Sequence, residues 1–444
     1  MKTTTRLHTM AMLALACALP ACANQERSTE PAEDTRAAST LLETANIEAY
    51  GRAYLSAAEK AALEPALPAE RYDFLGYVDE LPPHELPAPI AAYLGRSKSV
   101  QERSDRTREE HDAQVEAEAR ENRDHHGDLA VVLYSDGRVF REKPRNTSER
   151  PLVPDELIRT STGDGFGGPA PLAGERAGND IPGDAGSVQS MQLYDSDGRT
   201  LVTSSDTPWR QVGVRIESDC PNCTSTTDPA PLCSGAAVGP RHILTAAHCV
   251  KHESFGTRWV TASPAGRGSG YSGNKYPFGR RDVVGRVWPQ AWSGEETASA
   301  YYDYAILILD DINWSPGWIG FGTQSAIDLD FRDINSAGYP GRSNTCAASP
   351  TGDGKCSGYM YRQFETTKSV TAGAIYHRHD TQGGNSGMPL YDDYSSNDSR
   401  IVRGVHHGVY AGENAAHRIR SGSYDLICST IKGNPSSYFT YGGC

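Results

Sequence analysis

From residue 191 to Cys444 the apolar positions come in short runs, VGVRI, HILTAA, YAILIL and IVRGVHHGVY, separated by Gly, Pro, Asn and Asp. Runs of that length and spacing predict an all-β sandwich or barrel rather than a helical bundle, and the length suits two small barrels packed face to face. Only Glu413 to Ile431 has helical spacing, with Ile419, Tyr424, Ile427 and Ile431 apolar. Upstream, LAVVLYSDGRVF (129–140) alternates apolar and polar around Asp136-Gly137, which predicts a hairpin able to pair with the β domain. Residues 24–128 are rich in Ala, Glu and Arg and poor in aromatics, and 97–124 are nearly all charged or small, so solvated helix or disorder is expected there. Residues 161–190 are Gly, Pro, Ala and Asp with hardly an apolar anchor and read as an exposed linker, where proteolytic nicking concentrates.

The first residues read as an export signal: Lys2 and Arg6, then an apolar run from Met10 to Leu19 that is too short to span a bilayer. Leu19-Pro20-Ala21-Cys22 resembles a bacterial lipobox, which makes Cys22 the acylated mature N-terminus and a membrane anchor; ordinary cleavage after Ala21 or Ala23 is the alternative. The expected organisation is a signal over 1–22, a prosegment over 23–160, a linker over 161–190 and the β domain over 191–444. Net charge is −13, and the acidity sits in the leader: residues 1–190 hold 32 Asp+Glu against 21 Lys+Arg, residues 191–444 hold 24 against 22. No basic cluster suggests nucleic acid. Cys17 and Cys22 lie in the signal region, and the other eight cysteines fall between Cys220 and Cys444, as in a protein of an oxidising compartment. Cys220-Pro-Asn-Cys223 lacks a partner CxxC or His pair, so neither a metal nor any other cofactor is expected.

Three segments carry chemistry. Cys233-Ser234-Gly235-Ala236-Ala237 is followed by Thr245-Ala246-Ala247-His248-Cys249, and later by Gly383-Gly384-Asn385-Ser386-Gly387-Met388-Pro389. A serine hydroxyl is a weak nucleophile and needs an adjacent base and donors aimed at the developing oxyanion; flanking glycines permit the turn that exposes it. The first and last segments resemble the chymotrypsin-like serine proteases. That resemblance implies two packed six-stranded Greek-key barrels with a C-terminal helix, His248 as base, Ser386 as nucleophile, and an oxyanion hole from the N–H groups of Gly384 and Ser386. It also implies a Cys233–Cys249 disulfide. Asp303, in Tyr302-Asp303-Tyr304-Ala305-Ile306-Leu307, fits the family's Asp at the start of an apolar strand; Asp310 and Asp311 read as turn residues after it.

Asn385 stands where animal trypsin-like enzymes carry the Asp that pairs with the freed N-terminus. Asn there, with Asp197-Gly198-Arg199-Thr200, Gly338-Tyr339-Pro340-Gly341, Gly404-Val405-His406-His407-Gly408 and Asn414-Ala415-Ala416-His417-Arg418-Ile419, resembles the bacterial glutamyl endopeptidases. The likeness begins only after about Ser190. It implies that Thr381, His406 and the mature α-amino group hold a substrate glutamate, and that a precursor is cut near Met191 and Gln192, with the prosegment acting in cis. Asp380 points the other way, since trypsin-like enzymes place an Arg- or Lys-selecting carboxylate there. Three readings therefore stand: an acid-selective endopeptidase acting on proteins or peptides, a basic-selective one, and a catalytically silent binding protein. Cys346 and Cys356 would close a polar hairpin around Asp353-Gly354, and Cys220, Cys223, Cys428 and Cys444 allow three pairings.

Overall fold

The apolar runs become strands because each is short, rich in β-branched and aromatic residues, and bounded by turn formers. The computed structural model describes residues 67–78, 80–82, 84–93, 129–144, 198–205, 208–218, 231–250, 260–267, 274–292, 300–311, 317–340, 359–394, 399–410, 412–437, 441 and 444, all within the unit Ala45–Cys444. The export signal, Cys22 and the linker 161–190 lie outside the described residues, as do Cys220, Cys223, Cys346 and Cys356.

Three strands come first: β1 (Tyr72–Tyr77), β2 (Ala130–Tyr134) and β3 (Arg138–Glu142). The short β4 (Thr200–Leu201) pairs with a strand of the second barrel. The first barrel consists of β5 (Val214–Ser218), β6 (Pro231–Gly239), β7 (His242–Thr245), β8 (Val260–Pro264), β9 (Arg281–Pro289) and β10 (Ala305–Leu309). Their order is β9-β10-β7-β6-β5-β8, and a β8–β9 pairing closes the circle. The second barrel follows β11 (Gly320–Phe321) and consists of β12 (Asp333–Gly338), β13 (Tyr361–Val370), β14 (Ala374–His377), β15 (Pro389–Tyr394), β16 (Ser399–Tyr410) and β17 (Glu413–Arg418). The order β16-β15-β12-β13-β14-β17 closes through β16–β17. Both are six-stranded and antiparallel, the chymotrypsin-like architecture.

The helical reading of Glu413–Ile431 is corrected in its first part. Residues 413–418 form β17, with partners on both sides, β14 and β16, so neighbouring strands satisfy the backbone and barrel closure overrides local spacing. The helix runs over Ser421–Gly433, starting where the Arg420 N–H donates to Ser423 Oγ at 2.9 Å. Disulfides join Cys233 to Cys249 and Cys428 to Cys444, the latter selecting one of the three open pairings.

The hairpin around Asp136-Gly137 forms and pairs with the β domain. Residues Ala130 to Tyr134 run antiparallel to Pro289–Gly285 of β9, and all five are buried. The described part of the leader is thus a three-stranded sheet, β1-β3-β2, plus one short helix (Ala88–Tyr93), fused to the first barrel. Its apolar side chains, among them Ile90, Val132, Leu133 and Phe140, share one core with Ile216, Ile306 and Trp288.

Candidate active site

His248 lies in a 3₁₀ turn, Ala247–Val250, directly after β7. The Cys233–Cys249 bond pins this turn to β6. β10 pairs with β7 so that Ala305 lies opposite Thr245, which brings Asp303, two residues earlier, alongside the turn. Asp303 Oδ1 accepts the backbone N–H of His248 at 2.9 Å, and Oδ2 meets its Nδ1 at 2.6 Å. A carboxylate only accepts, so Nδ1 carries the proton and Nε2 keeps the lone pair of a base. Asp303 is 1% exposed. Burial alone would push its carboxyl up, but charge and hydrogen bonds from His248 and then His407 reverse this and hold it well below the usual carboxylate range. Asp310 and Asp311 serve elsewhere: the Asp310 N–H donates to Asp282 O, and the Asp311 carboxylate accepts Ser436 Oγ and the Ser437 N–H.

His407 is a member of this cluster that sequence reasoning missed. From β16 its Nδ1 makes a second short hydrogen bond to Asp303 Oδ2, and its ring stands edge-on to that of His248, with centroids 5.8 Å apart. Two imidazoles from different barrels therefore share one oxygen. The paired His406-His407 was its sequence signal, but nothing local said which of the two would turn toward Asp303.

Ser386 occupies the turn between β14 and β15. Gly387 has φ +82°, and a Cβ there would lie 2.2 Å from both Ser234 O and Thr245 Oγ1 and 3.0 Å from Ala246 N. Only glycine lets the turn that carries Ser386 press so closely on β6 and on the approach to His248. Ser234, on β6, fastens the two: its N–H donates to Ser386 O at 2.8 Å and its hydroxyl to Gly384 O at 2.8 Å, while Tyr339 N donates to that hydroxyl. The motif around Cys233 contained Ser234 but did not reveal this role. Within the turn the amides of Asn385, Gly387 and Met388 donate to Gln382 O, His406 O and Asn385 O. Among the described residues no acceptor meets the N–H of Gly384 or Ser386, the two expected to face an oxyanion. Asn385 uses its own side chain locally, accepting the Gln382 N–H at 3.0 Å.

Asp380, the residue that pointed toward basic selectivity, is engaged by neighbouring chain. It is 3% exposed, and its Oδ2 accepts the Gly198 N–H at 2.7 Å and Gln363 Nε2 at 2.9 Å, while its own N–H donates to Gln363 Oε1. The carboxylate holds down the segment at the start of the β domain. Thr381 and His406, the expected glutamate ligands, are fully buried. Thr381 Oγ1 donates to Asn414 Oδ1 at 2.8 Å. His406 Nδ1 faces His377 Nε2 at 3.0 Å, His377 Nδ1 faces His379 Nδ1 at 3.3 Å, and His379 Nε2 reaches Ile334 O at 3.0 Å. Burial holds His377 and His406 well below the ordinary imidazole value and brings His379 to about 4. Among neutral rings the carbonyl fixes every tautomer: His379 Nε2 donates to it, His377 Nδ1 to His379, and His406 Nδ1 to His377. The chain ends at His406, whose buried Nε2 makes no hydrogen bond of good geometry among the described residues, with the Ala415 backbone beside the ring.

One atom each from His248, Asp303 and His407 lie within 4.8 Å of one another, a donor set that could also hold a metal ion. Among the described residues, no helix is long and apolar enough to cross a membrane.

A family model described as Trypsin matches residues 202–310, a span that contains His248 and Asp303 and ends before Ser386. The chain is similar to the extracellular metalloprotease of Bacillus subtilis (strain 168), 26% identical over 246 residues, covering 54% of this chain and 70% of that protein. It is also similar to the glutamyl endopeptidase of Bacillus licheniformis, 28% identical over 240 residues, covering 52% of this chain and 66% of that protein. A solved structure of a Glu endopeptidase in complex with MPD matches 54% of this chain and 99% of its own at 20% identity and a TM-score of 0.39. The two closed six-stranded barrels give the chain its chymotrypsin-like fold; in sequence it resembles the trypsin-type serine proteases over residues 202–310, with a bacterial glutamyl endopeptidase among its relatives.

Proposed function

We propose that the chain is an exported serine endopeptidase, made as a precursor and selective for Glu or Asp before the scissile bond. The observation that carries this reading is the buried Asp303 carboxylate, bonded to both Nδ1 and the backbone N–H of His248. In the reaction Ser386 Oγ attacks the peptide carbonyl while His248 Nε2 takes its proton, and the resulting oxyanion is met by the N–H groups of Gly384 and Ser386. Collapse breaks the C–N bond, and the leaving amine takes the proton from His248. Water then repeats the cycle on the acyl-enzyme. Asp303 stabilises the imidazolium throughout, and His407 holds the far side of Asp303.

Two observations support acidic selectivity. Asp380 Oδ2 already accepts from Gly198 and Gln363, so a basic side chain would have to compete with two donors for it. The histidine chain leaves a lone pair on His406, so a substrate carboxylate binds there with a proton on His406 Nε2, raising that imidazole's pKa as it does so. The burial of Thr381 and His406 in the uncut chain fits a pocket that opens only after cleavage near Met191 and Gln192.

A peptide library digested by the processed protein tests the selectivity: cuts after Glu or Asp are expected, and cuts after Arg or Lys would overturn it. Ser386→Ala should lower turnover by about four to six orders of magnitude with the fold intact by circular dichroism. Residual turnover within tenfold of the parent would remove Ser386 from its role. Treatment with a chelator should leave turnover unchanged; loss restored by added zinc would instead assign the His248, Asp303 and His407 atoms to a catalytic metal.

A further inference from the structure

The three-stranded leader sheet sits on β9 as a structural layer of the first barrel. We infer that it stays bound after the linker is cut, so that the working enzyme is a two-chain, non-covalent assembly. The inference rests on the precursor reading proposed above. β9 is long and changes partners along its length: Arg281 and Asp282 pair with β8 and close the barrel, whereas Gly285–Pro289 pair with β2. Removing the leader would leave five residues of β9 as an unpaired edge, with Val287 and Trp288, both now fully buried, beside it. An edge of that kind recruits other strands, and the chain's own β2 already satisfies it.

The fit is specific as well as apolar. Gly285 has no side chain, and a Cβ there would lie 3.2 Å from the Tyr134 ring, so the glycine admits this leader residue against the barrel. Tyr134 Oη donates to Asn434 Oδ1 at the end of the C-terminal helix, and the Ser135 and Gln290 amides donate to Val284 O and Leu129 O across the junction. Within the leader, buried Glu142 accepts Arg71 Nε and Nη2 and the Ala130 N–H, which ties β1, β3 and β2 into one piece. Among the described residues the contacts across the junction join 67–144 to residues from 198 onward, so a cut in the linker 161–190 breaks none of these.

The test uses the full chain carrying Ser386→Ala, so that retention is read without activity and stands or fails apart from the proposed reaction. A recognition site for an unrelated sequence-specific protease replaces part of the linker. After cutting, both fragments should co-elute at the mass of the uncut chain in native size-exclusion chromatography at micromolar concentration, and separate in urea. Tyr134→Ala, which leaves the barrel residues untouched, should shorten the residence of the N-terminal fragment at least tenfold. Departure of the fragment from the parent within the column run, with the C-terminal fragment remaining monomeric and folded, would overturn the inference. So would an unchanged residence time in Tyr134→Ala together with Val132→Asp.

Discussion

The two barrels share a strand plan and differ in what fills them. The first is packed with aliphatic and aromatic side chains in a core that continues into the leader sheet. The second shares that core only in part, through Ala337, Tyr391, Val402 and Val405, holds a separate cluster of Leu329, Ile334, Ile375, Met388, Leu390 and Ala416, and also buries His377, His379, His406 and His417. The first barrel is therefore a scaffold that fixes His248 and Asp303 through packing. In the second, backbone carbonyls and neighbouring rings order the protons of the buried imidazoles. The seam brings His248 and Asp303 of the first barrel against His407 of the second.

Asp303→Asn attacks the first barrel's contribution most directly. It keeps the shape but reverses the hydrogen-bond sense toward Nδ1, and turnover of the processed enzyme should fall about ten-thousandfold; a loss below tenfold would detach Asp303 from the mechanism. The second barrel is probed by acid. Burial keeps His379 near 4 and His417 near 3 in the folded chain, and His242 of the first barrel near 3. Unfolded imidazoles take up protons below about pH 6.5. From there down to the folded values the unfolded state binds more protons, so stability falls as pH falls. Asp303 acts at lower pH, because its depressed carboxyl gives stability that is lost only as pH drops below the ordinary carboxylate range. Urea unfolding should therefore show a loss of at least about 2 kcal/mol between pH 6.5 and 5; a flat midpoint would mean that the rings are charged when folded.

Cross-barrel coupling is sharpened by His407→Ala. Losing a hydrogen bond to a charged group should cost about ten- to a hundredfold in kcat with little change in KM, and move the acid limb of the pH–rate profile. His407→Ser should recover part of the loss if a donor to Asp303 is what matters, whereas equal loss in both variants would mark His407 as packing alone. The smallest effect belongs to the leader: Tyr134→Phe removes the bond to Asn434 and should lower precursor stability by about 1 kcal/mol, read by denaturant titration.

How far the sequence reveals this depends on whether a feature is local. The TAAHC segment is contiguous, with a fixed spacing back to Cys233, and so the Cys233–Cys249 bond and the meeting of His248 with Asp303 were readable. The hairpin at Asp136-Gly137 was readable from alternation and its turn. The strand at 413–418 was not, because two neighbours held together by barrel closure decide it, and the same six residues have acceptable helical spacing. Asp380 was ambiguous because its meaning depends on where the chain near Gly198 returns, 182 residues earlier. His407 and Ser234 were hidden for the same reason: each acts across the seam, on a partner that no window of sequence contains.

Tyr134 and Asn434 lie 300 positions apart and meet in one hydrogen bond. As the chain emerges N-terminus first, the leader hairpin can form early, its partner β9 arrives much later, and Asn434 comes almost last. Contacts so distant close slowly, since loop entropy and high contact order delay them. The bond is thus a mark of completeness. A chain truncated before the C-terminal helix can still seat its leader on β9, but it lacks the last bond that joins its beginning to its end.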